Sequence, residues 1–151
     1  MSETLEKTEK TLRDLIETLR DGHQGFIEME KNLKDPEARK VFREETLARA
    51  EFAGELENEL HRLGVKDIKV ASSTAAKVHL AWGELKNRLG GGDHALLATA
   101  EKGEDEAKRA YEEALAGEDV PLPLREILLR QQRHILAAHD KVKALRDRFA
   151  S

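Results

Sequence analysis

The sequence predicts an all-α protein folded as a four-helix bundle. Two observations carry this expectation. Charged residues make up 37% of the 151 and aromatics only 4%, with three prolines, which is the composition of a helix-rich chain rather than a β protein. Leucine, isoleucine, valine and alanine also recur at spacings of three and four, the period of a helix with one apolar face.

Each element follows from that period and from the residues that interrupt it. The first helix covers about 2–33, with Ser2 as its cap and Leu5, Leu12, Leu15, Ile16, Leu19, Phe26, Ile27 and Leu33 as its stripe. In "KDPEA", Asp35 can cap a second helix, Pro36 fits its first turn and Glu37 suits the positive end of the dipole. So short a connection makes the first two helices antiparallel neighbours. The second helix covers 36–63 on Ala38, Val41, Phe42, Ala48, Phe52, Leu56, Leu60 and Leu63, and stops at Gly64.

"VKDIKVA" reads as extended, followed by a shorter helix over 73–89 with Ala75, Val78, Trp82, Leu85 and Leu89 on one side. "GGGD" ends it, and Asp93 is expected to cap the third helix, 93–116. "GEDVPLP" turns the chain into a fourth, 123–149, whose seam is Leu124, Leu128, Ile135, Ala138, Val142, Leu145 and Phe149. The helix over 73–89 is long enough, at roughly 24 Å, to carry the chain back along the bundle. One long crossover carrying an extra helix is the ferritin-like topology, here as a single domain over 1–151.

Composition also excludes functions. The net charge is −4 with both signs interspersed, so there is no nucleic-acid footprint. The absence of cysteine removes disulfides, thiolate metal sites and a cysteine nucleophile. "MSETLEKTEK" has no apolar core for a signal peptide, and no apolar run reaches the length of a membrane span. A cytoplasmic protein of bacterial type is the expectation. "GGGD" lacks the lysine and hydroxyl of a phosphate loop, and no Ser-His-Asp spacing stands out.

What stands out is polarity in the seams. At 100° per residue, His23, Glu45, Glu104 and Gln131 fall on inward positions of the four helices, with Glu30 near the same face as His23. In the crossover topology His23, Glu45 and Glu104 lie at similar depth, and His134 and His139 of the fourth helix come within a turn or two of them. Imidazoles and carboxylates are the ligands that hold iron, manganese or zinc inside a bundle, so His23, Glu45, Glu104, His134 and His139 are the candidate metal ligands.

Three arrangements fit this pattern. A metal can compensate the buried carboxylates. A hydrogen-bonded layer can do so instead, with Glu45 paired to a protonated His23 or held by an arginine reaching in from a neighbouring helix. Or the helix phase drifts and these residues lie at a solvated seam edge. The Glu-x-x-His pairs of a di-metal bundle are missing, the nearest approaches being "QQRH" and "EKGE".

"LRDLIETLRDGHQGF", "ELHRLG", "VHLAWGELKNRLGGGDHALL", "AEKGEDEAKRAYEEAL" and "AAHDKVKALRD" resemble the uncharacterised bacterial four-helix-bundle proteins of the ferritin-like superfamily. The resemblance runs in order over about residues 8–148. It implies a ferritin-like bundle with a crossover helix, no established activity and an incomplete set of di-iron ligands. Glu101, Glu104, His139 and Asp140 match positions that recur in those proteins, whereas His23 and Glu45 depart from them. The functional expectation is a structural or stress-associated interaction protein, with a homodimer or another protein as partner and without established catalysis. The alternative is a degenerate ferritin-like protein that binds iron, manganese or zinc.

Overall fold

The structure, a computed structural model, describes residues 3–66, 92–117 and 120–149. Among the described residues there are helices and no strands: α1, Glu3–Asn32; α2, Pro36–Arg62; α3, Asp93–Ala116; and α4, Leu122–Arg148. The expected crossover helix over 73–89, with His79 and Trp82, lies outside the described residues, as does the Ser2 cap. No described helix is long and apolar enough to cross a membrane.

Local chemistry fixes both ends of α2. The Asp35 carboxylate accepts from the Ala38 N–H at 2.9 Å, satisfying one of the donors that a helix start leaves open. At the other end Gly64 has φ of 91°, a conformation that side chains disfavour. There the Val65 N–H donates to Leu60 O at 3.1 Å and the Gly64 N–H to His61 O at 3.0 Å, the bond pair of a Schellman terminus.

The start of α3 differs from the sequence reading. Gly92 occupies the cap position and no side chain caps the helix. Asp93 turns its carboxylate outward to the α1–α2 turn instead, accepting from the backbone N–H of Lys34 and of Asp35, each at 2.9 Å. The two orphan donors of that tight turn are thereby satisfied from another helix.

This contact also sets the topology. The start of α3 lies against the start of α2, and Arg148 at the end of α4 reaches Asp35 and Glu37 at the same pole. Hence α2 and α3 run parallel, α1 and α4 run the other way, and α2 ends at the pole opposite to the one where α3 begins. Packing is closest between α1 and α2, then between α3 and α4 and between α1 and α3; the α2–α4 seam is the loosest of the four sides.

The core divides into two apolar clusters. At the pole shared by the α1–α2 turn lie Phe26, Met29, Phe42, Leu96, Ala100 and Val142. Phe26 and Phe42 meet edge to face with centroids 5.2 Å apart, a geometry that adds about 0.5–1.5 kcal/mol to plain burial. Toward the other pole lie Leu12, Leu15, Leu19, Phe52, Leu56, Tyr111 and Leu128. Between them the inward stripe of α2 becomes polar at Glu45 and Arg49, both buried.

Candidate functional site

The inward stripe of α2 reads Ala38, Phe42, Glu45, Arg49, Phe52, Leu56, Leu60, all buried at helical spacing. Glu45 and Arg49 therefore face the interior for the same reason as the phenylalanines beside them. Arg49 is 1% exposed. Its Nη2 donates to Oε1 of Glu104 on α3 at 2.5 Å and lies 3.7 Å from Oε2 of Glu45. Its guanidinium carbon stands 5.0 Å from the centroid of Phe26, a cation over an aromatic face.

α1 borders this side chain at Gly22. Gly22 is buried, and a Cβ placed on it would come within 3.7 Å of Arg49 Nη1. On the far side of the layer, His134 Nε2 on α4 lies 3.0 and 3.1 Å from the two oxygens of Glu45. The His134 ring meets Phe52 edge-on at 5.1 Å. The layer is thus a chain running from Glu104 through Arg49 and Glu45 to His134, crossing from α3 through α2 to α4.

Its electrostatics are tight. One guanidinium serves two buried carboxylates, in a place where desolvated charges interact strongly. Burial pushes the Glu104 carboxyl above its ordinary value; Arg49 opposes that shift and the Glu45 charge adds to it. Among the described residues, Glu104 Oε2 and Arg49 Nε have no hydrogen-bond partner. Such groups typically cost about 1–3 kcal/mol each.

The residues singled out from sequence therefore separate. Glu45, Glu104 and His134 come together, joined by Arg49. The arginine lies on the same helix as Glu45, one turn on, and reaches across the bundle to α3 only for Glu104. His134 rather than His23 pairs with Glu45. His23 lines a surface groove between α1 and α2, beside the Arg20–Glu57 ion pair. Glu30 bonds to Arg43 at 3.1 Å on the surface. Gln131 is a satisfied core amide, accepting from the Tyr111 hydroxyl at 2.6 Å and donating to Glu55 Oε1 at 3.2 Å.

His139 belongs to a different group. Its Nε2 lies 2.7 Å from Asp105 Oδ1. One donor atom each from Glu101, Asp105 and His139 lie within 4.8 Å of one another on the α3–α4 flank. Sequence reasoning passes over Arg49 and Asp105. The stripe that exposes Glu45 contains Arg49 as well, and Asp105 is one turn on from Glu101; both signals are available in the helical period.

Chemically, the central layer holds and orients charge. Arg49 is paired with both carboxylates and His134 with Glu45, while Glu104 Oε2 and Arg49 Nε are left without partners among the described residues. No curated protein matches this chain. The sequence profile of one family, described as "Domain of unknown function (DUF2383)", matches residues 7–117. That match spans α1, α2 and α3 with Glu45, Arg49 and Glu104, and ends before α4 with His134 and His139. The chain belongs to the DUF2383 family of domains of unknown function.

Proposed function

We propose that this protein is a ferritin-like bundle acting as a structural or interaction protein rather than a catalyst, with its central layer closed by arginine instead of metal. The observation that carries this reading is the position of Arg49, fully buried between Glu45 and Glu104. Carboxylate bundles place a cation in that layer to balance inward carboxylates. Here a guanidinium takes the same role, and such a layer specifies register and helix pairing at some expense in stability. The parallel run of α2 and α3, with the end of one and the start of the other at opposite poles, is the arrangement that a single long crossover requires, which supports the ferritin-like assignment.

The interaction reading draws on α4. Leu122 and Leu129, seven positions apart and so on one helix face, are 69% and 38% exposed. A homodimer or another protein partner is the class of association they suit. The alternative, iron, manganese or zinc held among His23, Glu45, Glu104, His134 and His139, requires the metal to displace a buried guanidinium and to draw His23 out of its groove.

The test is metal loading. Untagged protein is exposed to Fe(II), Mn(II) or Zn(II), desalted and assayed for bound metal beside Glu45→Gln. A layer closed by Arg49 predicts the same metal content in both. Loss of a stoichiometric ion in Glu45→Gln sinks the arginine-closed reading.

A further inference from the structure

Outside the central layer, the three side chains on the α3–α4 flank have a chemistry of their own. Glu101 and Asp105 are one turn apart on α3, and His139 faces them from α4. Their donor atoms, two carboxylate oxygens and one imidazole nitrogen, lie within 4.8 Å of one another. The side chains of Glu101 and His139 are 15% and 14% exposed, so packing holds two of the donors in place. That of Asp105 is 52% exposed, which leaves one side of the cluster open to water.

The surroundings favour a cation. Asp140 Oδ1 lies 3.6 Å from His139 Nδ1, on the side of the ring away from the cluster. At that distance the exposed Asp140 carboxylate is not hydrogen-bonded to the ring and adds only its negative charge to the surroundings. Glu104, next to Asp105 in the chain, is fully buried and has an oxygen without a partner among the described residues. The opposing feature is Arg146, which is paired with Glu101 through Oε2. A cation would share this carboxylate through Oε1, which moderates its affinity.

We propose that Glu101, Asp105 and His139 form an open three-ligand site for a first-row divalent metal ion, on the surface of the bundle and separate from its central layer. The donor set decides the class. An imidazole with two carboxylates suits zinc, manganese or ferrous iron, whereas magnesium and calcium favour all-oxygen shells. Bonds of about 2.0–2.2 Å need donors closer than a 4.8 Å span, so binding requires the side chains of the cluster to rotate toward a common point. The ion replaces the hydrogen bond between Asp105 and His139, and water fills the remaining coordination.

The experiment is calorimetric titration of Zn²⁺ into untagged full-length protein stripped with EDTA. One equivalent is expected to bind, in the micromolar range. Asp105→Asn and His139→Gln should each weaken binding at least tenfold, while Glu45→Gln leaves it unchanged. Asp105 is exposed enough for its variant to fold, and the helical circular dichroism of each variant establishes that before titration. Absence of binding by the parent overturns the proposal. So does retention of binding in either flank variant, which would point to exposed histidines such as His61 and His94, and so does loss in Glu45→Gln, which would place the ion in the central layer.

Discussion

Arg49 Nη2 and Glu104 Oε1 stand 2.5 Å apart inside the bundle, each on a side chain 1% exposed. The pair joins α2 to α3, two helices that run parallel at the level where both apolar clusters give out. The mutual attraction of such a buried pair adds little net stability, whereas losing one member strands the other charge in the core at a large cost.

The first prediction concerns that asymmetry. Arg49→Leu leaves Glu45 and Glu104 buried without their shared cation, and should lower the free energy of unfolding in urea by about 3–5 kcal/mol. Replacing all three at once, Arg49→Leu with Glu45→Leu and Glu104→Leu, should recover most of that loss or exceed the parent by about 1–4 kcal/mol. If the triple variant is as unstable as the single one, the layer is a net source of stability rather than of specificity.

The second concerns pH. A carboxyl whose pKa rises on folding binds its proton more tightly in the native state than in the unfolded chain. Burial does this to Glu104, so between its ordinary value of 4.5 and its raised native value the native state holds more protons. Stability must then fall as pH rises across that window and level off above it. Glu55 works in the opposite sense. Its hydrogen bond from Arg130 holds the carboxyl below 4.5, so its contribution is present at neutral pH and lost as pH falls through the depressed value. Urea midpoints taken against pH in EDTA separate the two. Glu104→Gln should flatten the decline above 4.5, and Glu55→Gln the acid limb below it. A Glu104→Gln profile parallel to the parent would contradict this account of the layer.

How much of the fold and of the layer is legible in the sequence depends on residue type. Leucine and phenylalanine at spacings of three and four declare the inward face, and Asp35, Pro36 and Gly64 mark helix ends through their backbone chemistry. The all-helical architecture is therefore readable. Glu45 is visible as a polar intruder on that face. Arg49 lies on the same stripe, but a long basic side chain reads as solvated, because arginine is rarely buried without a partner. Partners belong to rotamers and to helix rotation, which the period does not fix. His23 illustrates this: its neighbour Gly22 faces Arg49, and one residue, a turn of 100°, separates the packed layer from the groove in which His23 lies. Asp93 departs from its expected role for a related reason. Aspartate is a favoured helix cap, and here the N–H groups of the α1–α2 turn take its carboxylate instead.

A third prediction isolates the Gln131 amide, bonded to Tyr111 in the cluster away from the α1–α2 turn. Tyr111 is fully buried, burial raises the pKa of its phenol, and its hydroxyl has Gln131 Oε1 as acceptor at 2.6 Å. Tyr111→Phe leaves that oxygen without the donor and should cost about 1–3 kcal/mol. In a double-mutant cycle with Gln131→Leu, the two losses should fall short of adding, with a coupling of about 0.5–3 kcal/mol. Additive losses would mean that the bond contributes nothing beyond the packing of each side chain.

The last prediction concerns the pole where the four helix ends converge. The Lys34 and Asp35 N–H groups lie in a turn too short to satisfy them within its own backbone, and Asp93 accepts from both. Asp93→Ala removes both acceptors and should destabilise the bundle by about 1–2 kcal/mol, the range of a lost cap. Asp93→Asn retains one carbonyl oxygen and should lose roughly half as much. Amide hydrogen exchange gives the sharper readout: the Lys34 and Asp35 amides should lose protection in Asp93→Ala, while the Ala38 amide, held by Asp35 from within α2, keeps it until the whole domain unfolds. Equal loss at all three positions would mean that Asp93 anchors α2 as a whole, and that the register between the α1–α2 turn and α3 depends on this one carboxylate.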